Sequence, residues 1–430
     1  MGRSAVTGRT RGRLLRHRDF VKFWTGQTVS DLGTSVTGVV LPLVAVVYLQ
    51  ATPFEVGALA AVEWVPWLLI GLPAGVWVDR SRRRPLMMWC DLVRAAAIGS
   101  LPVAAAFGTL YLAHLYLAAV VTGIATVLFQ VGYQAYLPSL IPTDDLAEGN
   151  AKLQGSQTVM QVGGSGLGGL LVQVFRAPFA LIADAASYVV SAISLALITH
   201  REPPREPAER NLRREMADGA RYVRADPLLR VMTIAPALAN FFFTGFSGIE
   251  VLFLVRSVHL EPGYVGLLVG VVALGAVLGA AVARPVGRRF GTSRAVWLGS
   301  LITTPFGLLI ALTTRGPGIA FFVVGNVVLF AGILVYNVTI GAFRQAYCAP
   351  EILGRVVATM RFVLFGAIPV GALLGGALAS WIGIREAVWV LLAGNMSSAV
   401  VLAVSPLRRM RDLPDVAPVP GTACGVPHTG

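Results

Sequence analysis

Long stretches of apolar residues, separated by short polar segments, follow one another along almost the whole chain. About 20 apolar residues at 1.5 Å per residue match the roughly 30 Å hydrocarbon core of a bilayer, so each stretch predicts one transmembrane helix. Counting the stretches gives about twelve spans, near residues 21–49, 57–78, 86–107, 112–134, 153–175, 178–199, 228–256, 264–283, 295–314, 318–342, 357–381 and 386–405. The pattern therefore predicts an all-α membrane protein.

One long polar segment divides these spans into two sets of six. It contains Pro203, Pro204, Pro207 and many Arg and Glu residues. Its part from 210 to 224 has helical character, and either a helix on the membrane surface or a solvated linker fits the pattern. We therefore predict an N-terminal six-helix bundle with its tail (1–199), a cytoplasmic linker (200–227), a C-terminal six-helix bundle (228–406) and a disordered tail (407–430).

Short sequence similarities relate the two sets of spans. Gln134-Ala135-Tyr136 follows the fourth span, and Gln345-Ala346-Tyr347 follows the tenth. The next span contains Gly168-Gly169 in one half and Gly375-Gly376 in the other. These matches indicate two pseudo-symmetric bundles related by an axis along the membrane normal, with a substrate site between them near the bilayer midplane.

Composition supports a membrane protein and excludes several other classes. Hydrophobic residues make up 55% of the chain and charged residues only 13%, where a soluble protein carries about a quarter. The net charge of +13 lies in the loops between apolar runs, so nucleic acid is not a predicted partner. The three cysteines, Cys90, Cys348 and Cys424, have no disulfide or metal-site spacing. We expect free thiols, no metal and no cofactor.

Arginine and lysine in short loops predict how the spans are oriented, because basic residues are retained on the cytoplasmic side. With twelve spans, every segment rich in basic residues falls on the same side of the membrane, and both tails lie there too. The basic residues are Arg80, Arg82, Arg83, Arg84, Arg284, Arg288, Arg289, Arg294, Arg408, Arg409 and Arg411. We therefore predict a multi-pass protein of the inner or plasma membrane, with both termini in the cytoplasm.

Two motifs resemble a known family. The segment from Gly75 to Arg84, GVWVDRSRRR, resembles the G-x-x-x-D-R-x-G-R-R loop of the major facilitator superfamily, with Arg82 in place of the second glycine. Gly164 to Gly169, GSGLGG, is similar to the G-P-x-x-G-G motif of exporters in that superfamily, with Ser165 in place of proline. Asp91-x-x-Arg94 on span three and the segment from Leu146 to Asn150 before span five are similar in particular to enterobactin exporters and macrolide-type efflux proteins, and the superfamily resemblance extends over about residues 18–406. The resemblance implies the twelve-helix major facilitator fold and transport by alternating access, and we expect a monomer in contact with membrane lipid.

The loop between spans two and three is the expected gating element, with Gly75, Asp79, Arg80, Arg83 and Arg84. Asp79 ends span two, where its carboxylate would accept hydrogen bonds from the free amides at the start of span eleven, near residues 354 and 355. The two halves would thereby be held together on their cytoplasmic sides. Within span five, Gly164, Gly168 and Gly169 predict close helix packing.

Ionisable residues inside the spans are the strongest candidates for chemistry, since each costs about 2.5–3.5 kcal/mol at mid-helix. Asp31 and Glu63 lie near the midplane of spans one and two, where desolvation disfavours the charged form of a carboxyl group, and both are candidates for proton coupling. Alternatively, Asp31 caps a helix break and Glu63 lies in a water-filled vestibule. Asp91 and Arg94, three residues apart on span three, predict a structural ion pair, and Asp184 and Glu250 are secondary candidates.

Polar and aromatic residues at mid-depth are candidates for the substrate cavity: Trp64, Gln161, Asn240, Phe243 and Asn337. The chain lacks a G-x-x-x-x-G-K-[ST] loop, and its five histidines avoid the centres of the spans, so neither an ATP-driven pump nor an enzyme is predicted. We therefore predict a secondary active transporter that exchanges protons for a hydrophobic or amphipathic small molecule of drug, antibiotic or siderophore type. Uptake coupled to protons or ions and a non-transporting receptor or sensor remain alternatives.

Overall fold

The computed structural model describes residues 14–71, 73–200, 202 and 212–414, and within this part of the chain all regular structure is helical. Eleven helices are long and apolar enough to cross a membrane. A further helix of 29 residues, Leu146–Val174, is equally long but has glutamines on one face. We number the twelve helices in chain order: α1 Arg18–Tyr48, α2 Pro53–Ile70 with its continuation Pro73–Asp79, α3 Arg83–Ala106, α4 Leu112–Leu140, α5 Leu146–Val174, α6 Ala177–Ala196, α7 Pro227–Ser257, α8 Pro262–Phe290, α9 Thr292–Leu312, α10 Gly316–Tyr347, α11 Pro350–Trp381 and α12 Ile384–Val404.

The two halves repeat the same packing. In the N-terminal half α1 packs on α5 and α6, and α4 packs on α2 and α3; in the C-terminal half α7 packs on α11 and α12, and α10 on α8 and α9. The repeat extends to local backbone detail. Helices α1 and α7 both end in a π-helical turn, at Val44–Tyr48 and Phe253–Ser257. Each turn is followed by a non-glycine residue with positive φ, Gln50 (53°) and His259 (61°). Counterparts in this region are therefore 209 residues apart, and the predicted twofold repeat is confirmed.

Among the described residues, the closest contacts between the two halves are concentrated on one side. We call the side that holds residues 14–16 and 406–413 the tail side and the opposite one the far side. On the far side α2 packs on α11 and α5 packs on α8. A Cβ atom at Gly57 would lie 2.7 Å from Gly376 Cα, and Arg256 donates to Val46 O at 3.4 Å across the same boundary. On the tail side, Cβ atoms at Gly75 and Gly354 would meet no heavy atom within 4 Å. The structure is therefore closed on the far side and open on the tail side.

The first part of the C-terminal tail is ordered, which corrects the prediction that 407–430 is disordered; residues 415–430 lie outside the described part of the chain. The backbone carbonyl of Arg411 accepts hydrogen bonds from the amides of Ser293 (3.1 Å) and Arg294 (3.4 Å). Asp412 Oδ1 accepts from the Thr292 amide at 2.9 Å. These amides begin α9 and have no partner within their own helix, so the tail satisfies them and is fixed by them.

The segment between the halves contains a helix, Leu212–Ala225, which we call the linker helix; residues 203–211 lie outside the described part. The linker helix packs on the tail-side end of α11, where a Cβ at Gly219 would lie 2.5 Å from Thr359 Oγ1. Arg355 pairs with Asp218 at 3.4 Å, and Val223 is buried in a cluster with Val356. The linker helix is thus attached to the C-terminal half.

Candidate functional site

Asp31 lies on a face of α1 that is distinct from its two packed faces. Glycines on α1 pack against α6, where a Cβ at Gly33 would lie 2.7 Å from Ser187 Cβ. The half-buried Asp31 and the exposed Thr34 follow one another at helical spacing on the third face. Asp31 accepts a hydrogen bond from Gln27 Nε2 at 2.8 Å. Its carboxylate is therefore both held by protein and accessible from the space beside α1.

Arg94 lies at the centre of a buried polar cluster in the N-terminal half. It forms an ion pair with Asp91, as their spacing predicts, and both are almost fully buried. The Arg94 guanidinium lies over the Phe129 ring at 4.2 Å and over the Tyr188 ring at 4.4 Å. A cation between two aromatic faces is stabilised by both ring quadrupoles, most strongly where water is excluded. Arg94 thus connects α3, α4 and α6.

A third carboxylate, that of Asp184 on α6, belongs to the same cluster. It is fully buried and accepts hydrogen bonds from Thr37 Oγ1 (2.5 Å) and Ser187 Oγ (3.1 Å). Tyr188, one helical turn after Asp184, lies under the Arg94 guanidinium. Two fully buried carboxyl groups, those of Asp91 and Asp184, therefore share the polar interior of this half with Arg94, and the half-buried Asp31 belongs to the same bundle. Because an uncompensated buried charge is costly, the cluster is an environment in which a carboxyl group can retain a proton.

Glu63 on α2 and Glu250 on α7 lie outside this cluster. Both are half-buried, and neither side chain forms a hydrogen bond or ion pair with another residue in the described part of the chain. A carboxyl group inside an apolar span without a protein partner is rare and is a functional candidate by default. Glu63 and Glu250 thus remain candidates, and the structure does not bring either of them to Arg94.

A cavity of about 290 Å³ lies inside the C-terminal half, among α7, α9, α10, α11 and α12. Three of the predicted cavity residues, Asn240, Phe243 and Asn337, line it together with Tyr336 and Asn395. All the residues that line this cavity belong to the C-terminal half, whereas the substrate site predicted between the halves stays a prediction.

The other two predicted cavity residues lie outside this cavity. Trp64 of α2 lies 6.0 Å, centroid to centroid, from Phe365, which lines the cavity from α11. The cavity wall therefore borders the boundary between the halves. Gln161 is exposed on α5, on the helix face that also carries Gln154.

The predicted gating loop has a different set of contacts from those expected. Asp79 is 45% exposed and lies 3.5 Å from Arg83, and among the described residues it forms no hydrogen bond or ion pair with α11. Arg83 is buried and donates to Ala135 O at 2.8 Å, while Arg84 donates to Leu195 O at 2.7 Å. These carbonyls lie near helix C-termini, where cations are favoured. The expected contact with α11 is absent because the halves are apart on the tail side.

The glycine motif of α5 packs on two different helices. A Cβ at Gly164 would lie 2.7 Å from Leu32 O of α1, and one at Gly168 would lie 3.1 Å from Val36 O. A Cβ at Gly169 would lie 2.8 Å from Gly263 O and from Gly266 Cα of α8, in the other half. The motif therefore joins α5 to its own bundle and also forms part of the far-side boundary.

Sequence reasoning did not predict that Arg94 acts beyond its own helix. Spacing along α3 predicts the pair with Asp91, but the packing of Arg94 on Phe129 and Tyr188 depends on α4 and α6. The available signal was the presence of a single arginine in the middle of α3. Cys90 and Cys348 are buried free thiols, and burial raises the pKa of the Cys348 thiol, so it is poorly reactive.

Comparison with known proteins gives one family and two kinds of relative. A family model for transmembrane secretion effectors matches residues 13–420. Macrolide efflux protein A of Streptococcus pyogenes is 24% identical over 411 residues, which cover 92% of this chain and 97% of that protein. Multidrug efflux pump Tap of Mycolicibacterium fortuitum is 24% identical over 399 residues, which cover 89% of this chain and 94% of that protein. Among solved structures, a bacterial homologue of the iron transporter ferroportin in the inward-facing state aligns with a TM-score of 0.74 at 17% identity, over 90% of this chain and 98% of that one.

Proposed function

The chain belongs to the transmembrane secretion effector family of the major facilitator superfamily and is a transporter, and from this premise we propose that it exports a hydrophobic or amphipathic small molecule in exchange for protons. The observation that carries the proposal is the set of carboxyl groups inside the N-terminal half: Asp91 paired with Arg94, the fully buried Asp184 and the half-buried Asp31. The relatives named for macrolide efflux and multidrug efflux support export as the direction of transport.

Alternating access follows from how the halves meet. Their far-side boundary is built of small residues such as Gly57, Gly169 and Gly376, whose backbones touch. Such a boundary is flat and has few interlocking side chains, so two rigid bundles can separate there and close on the tail side instead. Because the basic loops lie on the tail side, we propose that this side faces the cytoplasm and that the structure is the inward-facing state.

Proton coupling needs a carboxyl group that exchanges its proton as the halves move. Asp31 is suited to this role because it is half-buried and its carboxylate accepts a hydrogen bond from the neutral amide of Gln27. Glu63 is the second candidate, since its half-buried carboxylate forms no hydrogen bond or ion pair with any residue that the structure describes. One proton moving through about 150 mV supplies roughly 3.4 kcal/mol, enough for a gradient of about 300-fold in a neutral substrate. A single carboxyl group would therefore suffice.

Proteoliposomes with an imposed pH gradient test this proposal. The probes are erythromycin, a macrolide with a protonatable tertiary amine, and chloramphenicol, an uncharged dichloroacetamide with a nitrophenyl ring. The readouts are probe flux and the pH inside the vesicles. We expect Asp31→Asn or Glu63→Gln to abolish pH-driven accumulation while probe exchange without a gradient continues. Glu261→Gln, an exposed carboxylate on the far side, is the matched control and should behave as the wild type.

Full pH-driven transport in both variants would move the coupling site to Asp184 or Glu250. A wild type that carries neither probe in response to the gradient would contradict proton-coupled export.

A further inference from the structure

The C-terminal cavity occupies the same place in its half as the charged cluster occupies in the other. Helices α3 and α9 begin at Arg83 and Thr292, again 209 residues apart, as are the π-helical turns of α1 and α7. The counterparts of the charged residues are therefore small or uncharged side chains that line the cavity: Asn240 for Asp31, Ser300 for Asp91 and Thr303 for Arg94.

Contacts extend this correspondence to the last helix of each half. Gly33 packs on Ser187 in one half, and its counterpart Phe242 packs on Gly394 in the other. Counterparts in α6 and α12 are thus 207 residues apart, so Asn395 corresponds to Tyr188. In the N-terminal half an arginine and a tyrosine fill the interior, whereas in the C-terminal half threonine and asparagine leave a cavity of about 290 Å³.

The chemistry of this cavity differs from that of the cluster. None of the described residues that line it is charged at neutral pH. Asn395 is only 3% exposed, and its Oδ1 has no hydrogen-bond partner in the described part of the chain. Leaving a buried polar atom unpaired is costly, so a ligand that donates a hydrogen bond to it would be favoured. Asn240 Nδ2 has only a long contact, 3.5 Å, to Leu364 O, which leaves most of its hydrogen-bonding capacity available.

The apolar part of the wall is aromatic. Phe243 stacks edge-to-face on Phe330 with ring centroids 5.5 Å apart, which fixes its orientation. Phe365 forms the side that borders Trp64. A small set of polar groups among aromatic walls is the usual composition of a ligand pocket. A cation would lose its hydration here without gaining a counter-charge.

We propose that the C-terminal cavity is a binding site for an uncharged amphipathic molecule, held by the amides of Asn240, Asn337 and Asn395 and packed on Phe243 and Phe365. The proposal rests on the proposed function, since this molecule would be the exported one. The two halves then have different functions: the N-terminal half exchanges the proton, and the C-terminal half binds the neutral ligand. Substrate and proton do not compete for one carboxylate.

Access of small thiol reagents tests the chemistry of the cavity. Ala239→Cys, on the cavity wall, is introduced into a version without Cys90, Cys348 and Cys424. The uncharged methyl methanethiosulfonate is compared with its cationic trimethylammonium-ethyl analogue. The matched position is Gly38→Cys on α1, seven residues after Asp31, where a Cβ would meet nothing within 4 Å. The measured quantity is the labelling rate with the neutral reagent divided by the rate with the cationic reagent. We expect this ratio to be at least about tenfold higher at residue 239 than at residue 38. Equal ratios, or no reaction at 239 with either reagent, would overturn the proposal.

Protection by a ligand tests binding itself. Chloramphenicol should slow labelling of Ala239→Cys. Adding Asn395→Leu should raise the chloramphenicol concentration that gives half-maximal protection by about tenfold or more. Asn326→Leu is the control, because Asn326 is also fully buried with an unpaired Oδ1 but does not line the cavity. Absence of protection, or equal effects of the two substitutions, would overturn the proposal.

Labelling needs no gradient, so this result is independent of the transport assay. If chloramphenicol protects residue 239 but no pH-driven flux occurs, the proposal of proton coupling is wrong and the proposed binding site stands. If pH-driven flux occurs without protection, the proposed binding site is wrong and the proposal of proton coupling stands.

Discussion

Arg94 is the residue on which the interior of the N-terminal half depends. It is the cation of the cluster, it packs between Phe129 and Tyr188, and its partner Asp91 is fully buried. Removing one member of a buried ion pair leaves the other charge uncompensated, which costs more than the pair contributes.

We therefore expect Arg94→Gln to destabilise the folded protein by about 3–5 kcal/mol. The double variant Arg94→Gln with Asp91→Asn should recover most of this loss, because no charge is then left unpaired at that position. Thermal unfolding of the purified protein, followed by tryptophan fluorescence, measures the stability of the single and of the double variant. If the double variant is as unstable as the single one, Arg94 acts through packing and not through charge.

At the scale of single elements, α5 has two roles that its sequence motif does not separate. Gly164 and Gly168 lie against α1, whereas Gly169 lies against α8 of the other half. Side chains are excluded at all three positions for the same reason, the close approach of two backbones.

A side chain at Gly169 should push α5 and α8 apart and favour the state that is open on the far side. Overpacking costs about 1–3 kcal/mol, which corresponds to a population shift of roughly 5- to 150-fold. Spin labels at Tyr111 and Arg315, exposed residues in far-side loops, would report the opening as a longer distance in Gly169→Val.

Gly163→Val is the control for this experiment, because a Cβ at Gly163 would meet nothing within 4 Å. The same distance distribution in the two variants would show that the α5–α8 contact does not hold the far side closed.

At the scale of the whole molecule, the gating loop and the linker helix form contacts that must break when the tail side closes. Asp79 now lies beside Arg83, and Arg355 at the start of α11 lies beside Asp218 of the linker helix. In the closed state we expect Asp79 to meet the free amides of α11, a contact worth about 0.3–1 kcal/mol.

Asp79→Asn should therefore reduce the closed population by up to about fivefold and leave binding of chloramphenicol unchanged. With spin labels at Ser81 and Gly354, a larger fraction of Asp79→Asn molecules than of wild-type molecules would show the long distance across the tail side. Transport by the variant would be slower. Asp144→Asn, another exposed acid on the tail side, should change neither. Weaker binding with normal turnover would contradict a gating role.

The orientation of the whole molecule predicts which loops react from outside the cell. In a cysteine-free version, a membrane-impermeant maleimide should label Arg315→Cys in intact cells and Ser81→Cys only after permeabilisation. The reason is the concentration of arginine on the tail side. Labelling of Ser81→Cys in intact cells would reverse the orientation and, with it, the proposed direction of transport.

The sequence by itself determined the number of spans, their division into two halves and the repeat between them. Each span must satisfy its own backbone and match the bilayer thickness, so its signal is local and can be read from about 20 consecutive residues. The gating and glycine motifs, together with the pairing of Asp91 with Arg94, were equally local, since they depend on spacing along one helix.

Tertiary structure alone decided which residues of different helices share an environment. That Arg94 of α3 packs on Tyr188 of α6, one turn after the buried Asp184, depends on how α3 and α6 are rotated against each other. The ordered tail depends on unpaired amides at the distant start of α9. The C-terminal cavity exists because the same backbone arrangement encloses smaller side chains, such as Thr303 where the other half has Arg94. Distances between helices are set by packing across the whole bundle, and no local stretch of sequence encodes them.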